Sequence, residues 1–259
     1  MTDPTEQQSK LVITRDGSHT VYSSQFEQHY HNPNGAVAES KHVFFEQSSL
    51  LDDIRSSNSV TILEVGFGTG LNFLLLMDYM REAGSESTID FYSVEGFPIS
   101  PHTVDNLNYD QHLNHPELAD HLPVIFNELS DGMNDISITS NITLRLFNGL
   151  FEKFHPNNLK ADYIFHDAFS PDVNPELWTG DTFKKLGNVS SSYAVLTTYC
   201  AASQAQGAMA WAGWKVAKTQ GALGKREMIV ASQSEEPLAD FSRINEEHYA
   251  RRYQEGDFD

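Results

Sequence analysis

The strongest constraint on the fold is the stretch Leu63-Glu64-Val65-Gly66-Phe67-Gly68-Thr69-Gly70-Leu71-Asn72-Phe73, where three alternate glycines separate an apolar run from a helical pattern. Val60 to Leu63 reads as a buried strand, and Leu71, Leu74, Leu75 and Met77 have the spacing of a helix laying one face on a sheet. Strand, tight turn and helix in that order make a nucleotide-binding unit. The turn lets the backbone approach a ligand and aims helix N-terminal N–H groups at it. The pattern G-x-G-x-G is neither the dinucleotide fingerprint G-x-G-x-x-G nor the phosphate loop G-x-x-x-x-G-K-[ST]. Glu64 at the strand end can receive a ligand ammonium but would repel a phosphate, so the unit suits S-adenosylmethionine better than a dinucleotide. An ordinary glycine-rich turn in another α/β enzyme has the same outline.

The rest of the chain extends this unit into an alternating α/β pattern. A second strand over 88–94 ends at Glu95, where a carboxylate is placed to accept both ribose hydroxyls. A third strand over 142–147 leads into Asn148-Gly149-Leu150-Phe151, expected on the adenine side. A fourth over 161–166 opens into His166-Asp167-Ala168-Phe169-Ser170-Pro171. Ligands of open α/β sheets sit outside the carboxyl ends of the strands, so Glu64, Glu95 and Asp167 are expected at one crevice. Helices are expected over 36–54, 101–129 (broken near Pro116), 175–186 and 201–212, with closing strands over 193–198, 215–219 and 227–232. Residues 1–55 read as an N-terminal extension, with a hairpin joining 10–13 to 20–22 across Asp16-Gly17. The main domain is expected over 56–234, and 235–259 reads as a charged tail.

The chain's 259 residues, 39% hydrophobic and 20% charged, suit a soluble globular protein. No run approaches the roughly 18 apolar residues of a membrane span, and Met1-Thr2-Asp3-Pro4 does not begin a signal peptide. The single cysteine, Cys200, fits a reducing compartment, so a cytoplasmic protein is expected. His29 and His31 have ligand-like spacing, but no cysteine or close carboxylate completes a set, and no metal is expected. The net charge of −19 argues against a nucleic-acid partner. Against that, residues 182–226 contain no Asp or Glu while carrying Lys184, Lys185, Lys215, Lys218, Lys225 and Arg226. That stretch is either a local basic face or buried structure needing no charge.

The glycine turn, Val94-Glu95-Gly96-Phe97-Pro98, Asp167-Ala168-Phe169-Ser170-Pro171 with Asn174-Pro175-Glu176-Leu177-Trp178-Thr179, and Gly224-Lys225-Arg226-Glu227-Met228 together resemble the methyltransferase domain of the MnmC family. The resemblance spans roughly residues 22–232. It implies a Rossmann-like methyltransferase fold with a seven-stranded, mostly parallel sheet and an N-terminal extension. It also implies S-adenosyl-L-methionine as methyl donor, held by Glu64, Gly66, Gly68, Gly70, Asn72, Glu95, Asn148 and Gly149. The implied substrate is the 5-aminomethyl group of 2-thiouridine at the wobble position, in the anticodon loop of tRNA. Bifunctional members continue into a flavin-dependent oxidase, whereas this chain shows no second dinucleotide fingerprint, so the resemblance implies a stand-alone form. Leu150 stands where the family usually has an acidic residue for the adenine amino group.

The chemistry points to Asp167. An aminomethyl group is largely protonated near neutral pH, and only its free lone pair attacks a methyl, so the site must receive a proton. Asp167 is the candidate general base, with Phe169, Pro171 and Trp178 as substrate contacts and Lys225 and Arg226 as tRNA contacts. Phe169 is placed to stack on a splayed base. A small-molecule or protein N-methyltransferase, and a non-catalytic RNA-binding subunit of the same fold, are the rival readings.

Overall fold

The computed structural model describes residues 9–258; the first eight residues, including the start compared with a signal peptide, and Asp259 lie outside the described residues. A small antiparallel sheet opens the chain: β1 (Ser9–Ile13), β2 (His19–Ser23) and β3 (Gln28–His29), in the order β1-β2-β3. Helix α1 (Ala36–Ser40) runs into a π-helical turn (Lys41–Phe45), and α2 (Leu50–Ser56) follows. The single helix expected over 36–54 is therefore two. The Glu46 N–H reaches back to the Lys41 carbonyl, and the wider turn carries three consecutive buried residues, Val43, Phe44 and Phe45, after which Gln47-Ser48-Ser49 ends the helix.

The large sheet takes β4 (Ser59–Val65), β5 (Thr88–Glu95), β6 (Gly132–Ser137), β7 (Ile142–Asn148), β8 (Ala161–His166), β9 (Ser190–Thr198), β10 (Lys215–Gln220), β11 (Glu227–Ser232) and β12 (Ser242–Arg243). Their order is β12-β10-β11-β9-β8-β4-β5-β7-β6. The expected seven strands form its centre, with β7, β5, β4, β8 and β9 parallel and β11 antiparallel between β9 and β10. One further strand is added at each edge. β6 pairs antiparallel with β7, and the two-residue β12 pairs with β10.

Helix α3 (Leu71–Glu82) follows β4, and the region from Pro101 is a series of short pieces including α4 (Pro101–Asp105) and α5 (His121–Glu128). Helix α6 (Gly180–Asn188) follows a separate 3-10 turn at Pro175–Trp178, and α7 (Ser203–Trp211) and α8 (Glu246–Glu255) complete the set. The tail thus carries a helix capped by Asn245, whose side chain accepts from the His248 N–H. The extension shares its core with the sheet. Val21, Val43, Phe44, Phe45, Leu50 and Ile54 lie in one buried cluster with Ile62, Phe91 and Phe165, and the Phe44 and Phe45 rings stand 5.0 and 5.5 Å from Phe165.

Among the described residues, no helix is long and apolar enough to cross a membrane, and no group of three or more His, Cys, Asp or Glu is disposed to hold a metal ion. His31 is held near neutral-imidazole character, its pKa pushed down to about 4 by burial, and its ring approaches Thr20 Oγ1 at 3.3 Å.

Candidate active site

Strand order reverses between β4 and β8, and a cavity of about 700 Å³ opens outside the carboxyl ends of the strands there. Its floor is the glycine turn. Gly66 has φ +99°, and a Cβ on it would stand 2.6 Å from the Asp167 carbonyl oxygen. The turn is therefore pressed against the end of β8, where only a glycine fits. At Gly68 a Cβ would meet the Tyr30 ring at 3.0 Å, so a side chain of the extension closes over the turn. Helix α3 begins at Gly70 with no side-chain cap, leaving its first N–H groups for a ligand anion.

Glu95 lines the cavity where the sequence placed it. Its Oε2 accepts from the Gly68 N–H and its Oε1 from the Phe97 N–H, each at 2.8 Å, which fixes the carboxylate at the cavity wall. Burial raises its pKa against those bonds. Asp167 also lines the cavity and is half-buried, with its Oδ2 accepting from Asn72 Nδ2 at 2.9 Å. Its pKa stands well above the usual carboxylate range, first through burial and then through the charges of Glu64 and Glu39. The dry, acid-rich setting makes it a proton acceptor of more than ordinary strength.

Several expectations are corrected here. Glu64 does not line the cavity; it is 1% exposed, and its two oxygens are taken by Asn72 and Ser93. Burial pushes its pKa up to about 7. It stands one layer behind the wall, and the direct ammonium contact expected of it is not formed by this geometry. Gly70 sits beneath the turn against Leu122, and Asn148 and Gly149 lie off the cavity while Leu150 and Phe151 line it. Trp178 is core: 1% exposed, edge-on to His166 at 4.4 Å, with Nε1 donating to the Phe169 carbonyl at 2.7 Å. It props the loop that carries Phe169 instead of meeting substrate. Pro171 does not line the cavity.

The basic stretch is also largely accounted for. Lys215 pairs with Glu235 at 3.4 Å, Lys218 with Glu227 at 3.0 Å and Lys225 with Glu39 at 2.7 Å. Lys185 turns inward, donating to the Phe151 carbonyl at 2.6 Å, and Lys184 lies over the Trp211 ring. Arg226 is exposed and has no ion pair among the described residues.

Two aromatic residues of the extension, Phe26 and Tyr30, join the site without having been singled out from the sequence. In the structure Phe26 and Tyr30 line the cavity and stand 5.1 and 4.9 Å from Phe169, with Phe97 5.1 Å from Phe26 on the outer side. Ser170 Oγ donates to Gln28 at 2.9 Å, tying the extension to the same loop. The wall opposite the glycine turn is thus aromatic, and the extension supplies half of it.

A family described as S-adenosyl-L-methionine-dependent methyltransferase matches residues 115–234. The chain is 31% identical over 230 residues to the tRNA 5-methylaminomethyl-2-thiouridine biosynthesis bifunctional protein MnmC of Leptospira interrogans, covering 86% of this chain and 35% of that protein. The protein of the same name in Aromatoleum aromaticum is 33% identical over 230 residues, 85% of this chain and 34% of that one. The chain therefore spans about a third of the length of these relatives. Among solved structures, the crystal structure of MNMC2 from Aquifex aeolicus superposes with a TM-score of 0.74 at 25% identity, covering 95% of this chain and 75% of that one. The glycine cradle, the fixed Glu95 and the uncapped α3 suit the donor that this family uses, and over most of its length the chain is similar to the S-adenosyl-L-methionine-dependent methyltransferases.

Proposed function

We propose that this enzyme methylates the amine of 5-aminomethyl-2-thiouridine at the wobble position of tRNA. The observation that carries the reading is Asp167, with one oxygen fixed by Asn72 and its carboxyl in the cavity beside the aromatic wall. The names of the two MnmC relatives support the tRNA substrate. When bound, S-adenosyl-L-methionine supplies an electrophilic methyl group. Glu95 would hold the ribose hydroxyls with the lone pairs its backbone bonds leave free, and Gly66 and Gly68 admit the ligand against the backbone. Asp167 accepts a hydrogen bond from the substrate amine, aims its lone pair and takes its proton. Phe169 and Phe26 would flank the base, with Phe97 at the rim. Glu152, which lines the cavity, or a backbone carbonyl would serve the adenine amino group in place of the acid that Leu150 replaces.

We assign 1–55 as the extension, 56–234 as the methyltransferase unit and 235–259 as the tail, acting in the cytoplasm where this substrate would be met. Incubation with labelled S-adenosyl-L-methionine and tRNA lacking the modification should yield 5-methylaminomethyl-2-thiouridine on nucleoside analysis. A small amine as substrate is the second reading, favoured by the pairing of Lys215, Lys218 and Lys225. Label that goes to amines and never to tRNA would select it.

Phosphate contacts would fall on Arg226. Each neutralised phosphate contributes about one unit to the salt slope of tRNA binding, so Arg226→Ala should flatten that slope by about one. Adding Lys225→Ala should change it little further, because Glu39 already holds that charge. Binding measured across salt concentrations checks both; an unchanged slope in Arg226→Ala removes this residue from the docking face.

A further inference from the structure

Behind Asp167 runs a file of polar side chains. Ser93 Oγ donates to Glu64 Oε2 at 2.7 Å, Asn72 Nδ2 donates to Glu64 Oε1 at 2.9 Å, and the same nitrogen donates to Asp167 Oδ2 at 2.9 Å. β5, β4 and α3 each supply one member, and Asp167 follows directly on β8. Ser93, Glu64 and Asn72 are 0, 1 and 3% exposed, so water does not substitute for the two bonds to Glu64. An asparagine amide has two hydrogens, and both are committed here, one to each carboxylate. Asp167 is left with one oxygen tethered and the other free toward the cavity it lines. The side chain of an aspartate at a strand end would otherwise turn freely about its terminal torsion.

We propose that Asn72 and Glu64 are positioning residues that fix the orientation of Asp167 and set its proton affinity. The proposal rests on the reading of Asp167 as the base. It replaces the expected contact of Glu64 with the methyl donor, whereas Asn72 lines the cavity as well. Four groups face Asp167: Glu64 from β4, Glu39 from α1, Lys225 from the loop between β10 and β11, and Tyr199, whose hydroxyl donates to the Ala168 carbonyl at 2.8 Å. Glu39 is matched by Lys225, so Glu64 is the acid whose charge reaches Asp167 without a cation of its own. Its charge opposes ionisation of Asp167, and the Asn72 amide favours it.

Two substitutions should therefore move Asp167 in opposite directions. Glu64→Gln removes the like charge and lowers its pKa; Asn72→Leu removes the donor and raises it, each by about one pH unit. Aspartate-labelled protein, with the Asp167 carboxyl signal identified through Asp167→Asn, gives both values by carbon NMR titration. Single-turnover rates against pH should show the acid limb displaced by the same amounts. Calorimetric affinity of Glu64→Gln for S-adenosylhomocysteine should stay within about threefold, since Glu64 is buried and does not line the cavity. Should Asn72→Leu not fold, Asn72→Ala removes the same donor with less bulk. Shifts of the same sign, no shift, or loss of ligand affinity with an unmoved titration overturns the proposal. If the parent protein transfers no methyl group to tRNA, the proposed function fails, and the NMR titration still decides this question.

Discussion

Asp167→Asn should slow methyl transfer at pH 7 by about a hundred- to ten-thousand-fold, the usual worth of a positioned general base. Asparagine keeps the size and one acceptor oxygen, so the bond from Asn72 survives, but it takes no proton. In the parent enzyme the rate should rise as pH climbs through the raised pKa of Asp167. The variant should lose that limb and instead gain rate as the substrate amine deprotonates, toward the region of about pH 10 for an alkyl amine. Stability supplies an independent sign. A carboxyl whose folded pKa lies above its unfolded value costs stability progressively as pH rises through that interval, because the unfolded chain ionises first. Asp167→Asn should therefore melt above the parent at pH 8 and level with it near pH 3, where both forms are neutral. A structural cap would behave oppositely, losing stability on substitution and leaving the rate at the parent value.

Gly66→Ala should cost at least about tenfold in S-adenosylhomocysteine affinity, since holding a side chain at a forbidden backbone angle costs of order 1–3 kcal/mol and the turn must move to relieve it. The neighbour is a backbone carbonyl, that of Asp167, so it cannot swing aside as a side chain would. The same movement would displace Asp167 itself, and transfer should fall with binding. Gly84→Ala is the control: its φ is also positive, at +58°, but nothing lies within 4 Å of the added carbon. It should lose a little stability and no affinity. Calorimetry on both folded variants separates the contact at the cavity from the general cost of a positive φ; equal affinities would place the ligand away from this turn.

The parts of this fold that the sequence displayed are those whose signals are local. β4, the turn and α3 follow from an apolar run, three glycines and a helical spacing within the eighteen residues from Val60 to Met77, and β11 is bounded as expected at Glu227–Ser232. The break in the 36–54 helix was hidden because a π turn keeps an apolar spacing that reads as continuous helix. β6 was missed because an edge strand of Gly-Met-Asn-Asp-Ile-Ser shows little hydrophobic alternation. Glu95 and Asp167 were legible from their places at strand ends. Glu64 has the same kind of place, but its environment is set by Asn72 and Ser93, eight and twenty-nine residues away, and their burial is a property of packing. Phe26 and Tyr30 were visible as aromatic residues; their partner Phe169 lies on another element far along the chain.

The shared core between the extension and the sheet bears on how the protein comes apart. Val43, Phe44, Phe45, Leu50 and Ile54 cover sheet residues that include Phe165, so neither part has an apolar face it can expose alone. Cooperativity follows: heat should melt the extension and the sheet in one transition, with no intermediate in which the sheet stands by itself. Trimming the chain to begin at Ser59 would leave an open greasy surface prone to aggregate, and would strip Phe26 and Tyr30 from the cavity in the same cut. The smallest part of this chain that can fold is accordingly larger than its central sheet.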